Sequence, residues 1–256
     1  MPLLSRPATN AQPAPRRHAR TAATPVALAG AHAQVWIAGT MVEALPDGAL
    51  WIACARTLVV SDVHFEKGSA YARGGQMLPP YDTRAALKRL AALVAALKPA
   101  RIVSLGDSFH DIDGPHRMDE SDRAVLADLM ARCAWVWILG NHDPEIPESF
   151  GGMQLSELRI ESLVLRHEPH EGDAPGEIAG HLHPCAKVAG RGRSVRRKCF
   201  ATDGARLVMP AFGAYAGGLN VRDEAFEPLF PNGAVALVLG RGRVLPAPWE
   251  RLLGDA

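Results

Sequence analysis

Apolar runs that stop abruptly at a glycine or an acid recur along this chain. The plainest is Ala134-Trp135-Val136-Trp137-Ile138-Leu139, which ends at Gly140-Asn141-His142-Asp143. A run of this kind followed by turn formers predicts a buried strand that delivers polar side chains at its carboxyl end. Residues 57–61 run into Asp62-Val63-His64 in the same way, and Arg101–Leu105 runs into Gly106-Asp107. Between these runs the spacing changes. Leu87, Leu90, Leu93, Val94 and Leu97 recur at the helical period, with Asp82 or Thr83 as candidate cap and Pro99 as stop. A second helix is predicted near 120–132, with Val125, Leu126, Leu129 and Met130 on its apolar face.

The segments before and after have other patterns. Short β-type runs at 34–38, 41–45, 49–54 and 57–61, with Pro46-Asp47-Gly48 as a turn, predict hairpins. A Gly-rich polar loop is expected from 65 to 80. The strand–helix–strand–helix–strand order that follows implies parallel strands with helical crossovers. Beyond residue 150 the runs shorten: 158–160, Leu163–Arg166, Glu177–Ala179, 198–202, 206–209, 234–239 and 243–245. That half is expected to be mainly antiparallel.

Composition narrows the picture. The 256 residues are 48% hydrophobic and 21% charged, enough to bury a core, with a formal net charge of +1. Any attraction to nucleic acid must therefore come from a local patch. Cys54, Cys133, Cys185 and Cys199 form no CxxC pair and read as reduced thiols of a cytoplasmic protein. No apolar run approaches the roughly 20 residues of a membrane span. Residues 1–33 are rich in Ala, Pro and Arg and read as a disordered tail, with the domain at 34–256. Arg16-Arg17 ahead of Val26-Ala27-Leu28-Ala29 offers a second reading, a twin-arginine export signal, but the patch is very short and Pro25 interrupts it.

Five polar segments follow β-type runs: Asp62-x-His64, Gly106-Asp107, Gly140-Asn141-His142-Asp143, His167 and Gly180-His181-x-His183. In open α/β sheets, ligands bind outside the carboxyl ends of strands, so these groups can converge. Asp62 and His64, two apart on an extended segment, are expected to point the same way, as are His181 and His183. Two carboxylates, an amide oxygen and four imidazoles exceed one tetrahedral zinc. They suit two cations such as Mn, Fe, Zn or Ni with a shared carboxylate. Such a pair can polarise a phosphoryl group and stabilise both the entering and the leaving oxygen.

This ordered series resembles the motifs of the calcineurin-like metallophosphoesterases, over roughly residue 34 to the carboxyl end. The resemblance implies an α/β fold, a four-layer αββα sandwich of two mixed β-sheets with flanking helices. It also implies two divalent metal ions, with Mn2+ preferred. Asp62, His64, Asp107 and His183 would hold one; Asp107, Asn141, His167 and His181 would hold the other. His142 would face the scissile phosphate as proton donor or charge stabiliser.

Gly106-Asp107-Ser108-Phe109-His110 resembles a segment of metallophosphoesterase nucleases of double-strand-break repair, which gives His110 a catalytic reading beside a structural one. Residues 61–68, 78–83 and 211–220 are similar to a bacterial subgroup, the ligase-associated DNA damage response endonucleases. That resemblance implies a DNA substrate and functional association with an ATP-dependent DNA ligase, a helicase and an exonuclease. The long amino-terminal tail departs from the subgroup. A small-molecule phosphatase or cyclic-nucleotide phosphodiesterase is the alternative, since the same metals serve both. A non-catalytic partner of ligase or helicase is the third reading, and it would be marked by lost metal ligands.

Arg191, Arg193, Arg196, Arg197 and Lys198 form a basic run just after the His181/His183 segment. They are candidates for contact with nucleic-acid phosphates, against a reading as a solvated hairpin tip. Tyr215 and Gly213, Gly217 and Gly218 either let a nucleotide approach the backbone or satisfy turns. Asp143 is expected to orient His142 or cap the next turn.

Overall fold

The computed structural model describes residues 26–190 and 192–255. Two sheets face each other. The first holds β1 (Val26–Ala29), β2 (His32–Ile37), β3 (Thr40–Ala44), β4 (Leu50–Ile52), β5 (Thr57–Val60), β6 (Arg101–Leu105), β7 (Ala134–Ile138) and β8 (Met153–Leu155), in that spatial order. Neighbours from β1 to β5 are antiparallel; β5, β6, β7 and β8 run parallel. The crossovers carry α1 (Lys67–Arg73), α2 (Asp82–Leu97), α3 (Gly114–Arg117) and α4 (Glu120–Ala131).

The second sheet holds β9 (Glu157–Ile160), β10 (Leu163–Arg166), β11 (Glu177–Ala179), β12 (Cys185–Ala189), β13 (Ser194–Thr202), β14 (Leu207–Val208), β15 (Val235–Leu239), β16 (Val244–Pro248) and β17 (Leu252–Leu253). Its order is β16-β15-β13-β14-β11-β10-β9, with β12 joining β13 to β17. It is mainly antiparallel, as expected, except at β10–β11 and β11–β14. Those parallel pairs place the site.

Three apolar layers hold the sheets and their coverings. Between the sheets lie Val35, Ile52, Val59, Val103, Ile138, Leu165, Ile178, Phe200 and Leu237. Outside the first sheet, Leu58, Val60 and Trp137 meet Leu87, Leu90 and Val94 of α2 and Leu126 and Leu129 of α4. Outside the second, Phe226, Leu229 and Phe230 cover Ala201, Val208 and Ala236. This outer layer is carried by 3₁₀ turns, Glu224–Phe226 and Trp249–Arg251, rather than by α-helices. The architecture is the α/β fold of two mixed sheets expected from the sequence, with its helices on one side.

Several local expectations change. Val26–Ala29 and the start of β2 pair as strands, eight residues before the boundary drawn at 34. The remainder of the expected tail, with Arg16-Arg17, and Arg191 of the basic run lie outside the described residues. The 65–80 loop contains α1. Its first amides are tied from a distance: Gly68 donates to the Asp82 carboxylate (3.0 Å) and Glu66 to Thr83 Oγ1 (2.9 Å). Asp82 and Thr83 therefore cap α1, and Tyr81 occupies the cap position of α2. Tertiary capping of this kind leaves no periodic signal in the sequence. Val125 is 42% exposed and lies off the buried face of α4.

Candidate metal centre

Six parallel strand ends, three from each sheet, meet along one edge. β5 delivers Asp62, β6 Asp107 and β7 Asn141; β10 delivers His167, β11 His181, and β14 the turn 209–213. The loops after β5 and β6 interlock. Asp62 N–H donates to the Gly106 carbonyl, His64 to Asp107, Phe65 to Ser108, and His110 back to Phe65.

The seven expected ligands all reach this edge. Asp62 Oδ1 is 3.1 Å from His183 Nε2, which is 3.3 Å from His64 Nε2. Asn141 Oδ1 lies 3.0 Å from both His167 Nε2 and His181 Nδ1, and those nitrogens are 3.3 Å apart. Asp107 stands between the two groups, Oδ1 3.4 Å from His167 Nε2 and Oδ2 3.9 Å from His64 Nε2. Asp62, His64 and His183 form one group that can hold a metal ion; Asp107, His167 and His181 form another.

The donor chemistry fits cations. Nδ1–H of His167 donates to the Leu105 carbonyl (3.2 Å), so Nε2 presents a lone pair to Asn141 and Asp107. Lone pairs crowded this way repel unless something positive lies among them. Metal–ligand distances of about 2.0–2.2 Å place neighbouring ligand atoms roughly 3.0–3.4 Å apart, as those within each group are.

Burial biases the same groups. It pushes His64 down to about 2, against the pull of Asp62, so His64 is a neutral donor and its approach to Asp107 is no ion pair. It also lowers His181. Burial alone would raise the Asp62 carboxyl, but the His183 hydrogen bond and electrostatic attraction to the His183 and His167 rings hold it below its ordinary value. Both carboxylates are almost wholly buried.

The backbone supports the constellation at a cost. Asp62, His64, Asp107, His181 and His183 all have positive φ, between 45° and 67°. Such conformations cost of order 1–3 kcal/mol each and persist where surrounding structure holds them. The Asp62-x-His64 and His181-x-His183 segments are therefore not extended, as the alternation rule assumes; Asp62 and His64 meet in one donor group, whereas His183 joins that group and His181 joins the other. Gly140 is required for room rather than for bending. A Cβ there would sit 2.2 Å from Asp107 Oδ1 and 2.3 Å from its main-chain nitrogen.

His142 Nδ1–H donates to the His110 carbonyl, and Nε2 lies 3.9 Å from Asp107 Oδ2. His64, His110 and His142 form a third group whose ring nitrogens lie close enough to hold a metal ion, with His110 stacked on His142 at 5.4 Å. Asp143 neither orients His142 nor caps a turn. Its carboxylate accepts the amides of Ser108, Phe109 and Gly140, locking the loop that carries Asp107 to the one that carries Asn141. Burial raises it to about 6.

Other candidates distribute differently. Arg193 and Arg197 are exposed. Arg196 donates to the Gly218 carbonyl and reaches Asp255 at 3.4 Å. Lys198 turns inward and donates to the carbonyls of Ala211 and Gly213. Gly213 and Gly218 pack on the backbone of Val63 and His183. Ser61 was not singled out by its position in the sequence, yet its hydroxyl donates to Asp62 Oδ2 (2.5 Å). Only its place at a strand end, next to an acid, hinted at this. Among the described residues no helix is long and apolar enough to cross a membrane.

No curated protein matches the sequence. Among solved structures, Pseudomonas putida nuclease MPE is 26% identical, with a TM-score of 0.64 over 84% of this chain and 100% of that one. The Escherichia coli phosphoesterase Yfce is 13% identical with a TM-score of 0.37, over 75% of this chain and 98% of that one. The Aquifex aeolicus protein of unknown function AQ665 is 17% identical with a TM-score of 0.35, over 50% and 78%. Residues 55–196, more than half the chain and the stretch that holds every residue of the two donor groups, match the model of the calcineurin-like phosphoesterase family; the chain belongs to that family.

Proposed function

We propose that this protein is a dinuclear-metal phosphodiesterase acting on DNA, an endonuclease of DNA repair. The observation that carries the reading is Asp107, set between two donor groups with His142 Nε2 beside it. In this reading Asp62, His64, Asp107 and His183 hold one ion, and Asp107, Asn141, His167 and His181 the other. Manganese is the preferred ion. When bound, the pair supplies Lewis acidity to a phosphoryl oxygen and lowers the pKa of an attacking water.

The chain's own residues do the rest. His142, fixed through Nδ1, presents Nε2 to the leaving oxygen; as the imidazolium it gives that oxygen its Nε2 proton and is left as the neutral Nδ1–H ring. His110 backs it by stacking. Asp143 keeps both loops in register. The DNA reading is supported by likeness to a nuclease at 26% identity, and by the subgroup resemblance of residues 61–68, 78–83 and 211–220. That resemblance also supports functional association with an ATP-dependent ligase, a helicase and an exonuclease. The four free cysteines support a cytoplasmic location. A non-catalytic role is disfavoured because none of the seven ligands is missing.

The test is purified protein with added manganese against bis-aryl phosphate, mono-aryl phosphate and plasmid DNA. Diester hydrolysis and plasmid nicking with poor mono-ester turnover are expected. Efficient mono-ester turnover without nicking would establish the small-molecule phosphatase alternative instead. Fewer than one equivalent of bound manganese would remove the enzyme reading altogether.

A further inference from the structure

A cavity of about 330 Å³ opens beside the metal centre, lined by Cys185, Arg196, Arg197, Lys198, Ala216, Gly217 and Gly218. It begins two residues after His183. One wall is β13, which supplies the cations. The other is the 216–218 turn, whose Gly218 packs against the His183 carbonyl. The Lys198 ammonium is bonded to the carbonyls of Ala211 and Gly213, while Phe212 and Gly213 hydrogen-bond to the Ser61 and Asp62 carbonyls. The cavity thus leans on the two loops that carry Asp62 and His183.

Its chemistry is that of an anion site. Three cations line it, and Asp255 is the one carboxylate within ion-pair reach of them among the described residues. Lys198 is largely enclosed, with neutral carbonyls as its hydrogen-bond partners, so its charge is left for something else to balance. The main chain contributes as well. Among the described residues, no hydrogen bond is donated by the amides of Ala216, Gly217 or Gly218. A Cβ at Gly217 would meet nothing within 4 Å, so the backbone there is open to a ligand. Arg196 and the Tyr215 hydroxyl, which donates to the Pro79 carbonyl, tether the turn on either side. Open amides beside guanidinium groups form the kind of concavity that binds phosphate. A second cavity of about 440 Å³, lined by Asn141 and His167, carries Glu157 and Glu168, with Arg166 already 3.0 Å from Glu157. Basic residues line the first cavity without a carboxylate, whereas carboxylates outnumber cations in the second.

We infer that the Arg196–Arg197–Lys198 cavity is a subsite for a second, non-reacting phosphate of the strand being cut. This deepens the phosphodiesterase reading and rests on it. It makes the preferred substrate an oligonucleotide with a phosphate neighbouring the scissile one, rather than a cyclic nucleotide or an isolated diester. It also gives the strand a polarity across the centre.

The dinucleotides d(TpT), d(pTpT) and d(TpTp) test this with the full chain and manganese. Each contains the same internal diester; two carry an extra phosphate on one side or the other. One of these two is expected to be cut with kcat/KM about tenfold above d(TpT), the value of one charge-assisted contact. Arg196→Gln/Arg197→Gln is expected to erase that preference. Arg197→Glu, at an exposed position that folding tolerates, is expected to invert it. Equal turnover of all three by the native protein overturns the subsite, as does a preference that survives both variants. Hydrolysis of bis-aryl phosphate without cleavage of any dinucleotide overturns it too. Failure to hydrolyse even bis-aryl phosphate would instead bring down the phosphodiesterase reading beneath it.

Discussion

His142 donates its Nδ1–H to the main-chain carbonyl of His110, 2.7 Å away. A carbonyl can only accept, so the tautomer of His142 is decided by its neighbour's backbone. Nε2 is left facing Asp107 Oδ2 at 3.9 Å, too far for a hydrogen bond and outside both donor groups. In the proposed function, this sets His142 apart as the ring that handles protons, beside rings that donate lone pairs.

His142→Ala is therefore expected to slow diester turnover by about 10²–10⁴-fold while two equivalents of metal still bind. Metal analysis beside single-turnover kinetics checks it. Loss of metal in this variant would make His142 a ligand.

Asp107 faces both groups, so Asp107→Ala should differ in kind. Metal content is expected to fall to one equivalent or less, with activity lost. Chelation of the native protein should lower its Tm, because the buried carboxylates of Asp62 and Asp107 then lose their counter-charge. A Tm unmoved by chelator, measured by calorimetry, would contradict the fit of these residues to cations.

Gly140→Ala places a methyl against the main chain of Asp107, which has no rotamer to yield. A loss of about 1–3 kcal/mol in stability is expected, by urea denaturation, together with weakened metal binding. A variant of native stability and metal content would show that the β6 and β7 loops can part.

Lys198 offers a pH test. Burial, reinforced by Arg89, pushes its ammonium down to about 8, against about 10.4 in an unfolded chain. The folded state thus binds this proton less tightly. The penalty is fully present below about pH 8 and is relieved as pH rises toward the unfolded value. Relative to Lys198→Met, the native protein is expected to gain stability between about pH 8 and 10.4. Urea midpoints of the two proteins across that range check it, and a constant difference would refute it.

Much of this was legible in the chain. Arg101–Leu105, Leu163–Arg166 and Glu177–Ala179 form strands over the residues expected. Ala134–Ile138 also ends where the motif begins. Apolar runs that cannot be solvated must be buried, and a polar group following such a run must emerge at the sheet edge. Less was legible where distant groups decide. The α1 helix depends on Asp82 and Thr83, fourteen or more residues away. Lys198 reads as one of a run of surface cations, yet it turns inward because the carbonyls of Ala211 and Gly213 meet it there.

By itself, the sequence determined which polar residues follow strand ends, because residue type and position after a strand are local properties. It also determined the class of fold, because hydrophobic period and strand–helix order are local as well. Only the tertiary structure decided how those residues meet. The pairing of the loops after β5 and β6 holds Asp62, His64 and Asp107 at positive φ. Asp143 bonds to amides on two loops, and Gly140 leaves the space Asp107 occupies. These are relations between segments far apart in the chain. They exist only when packing brings the strand ends together, which no local pattern encodes.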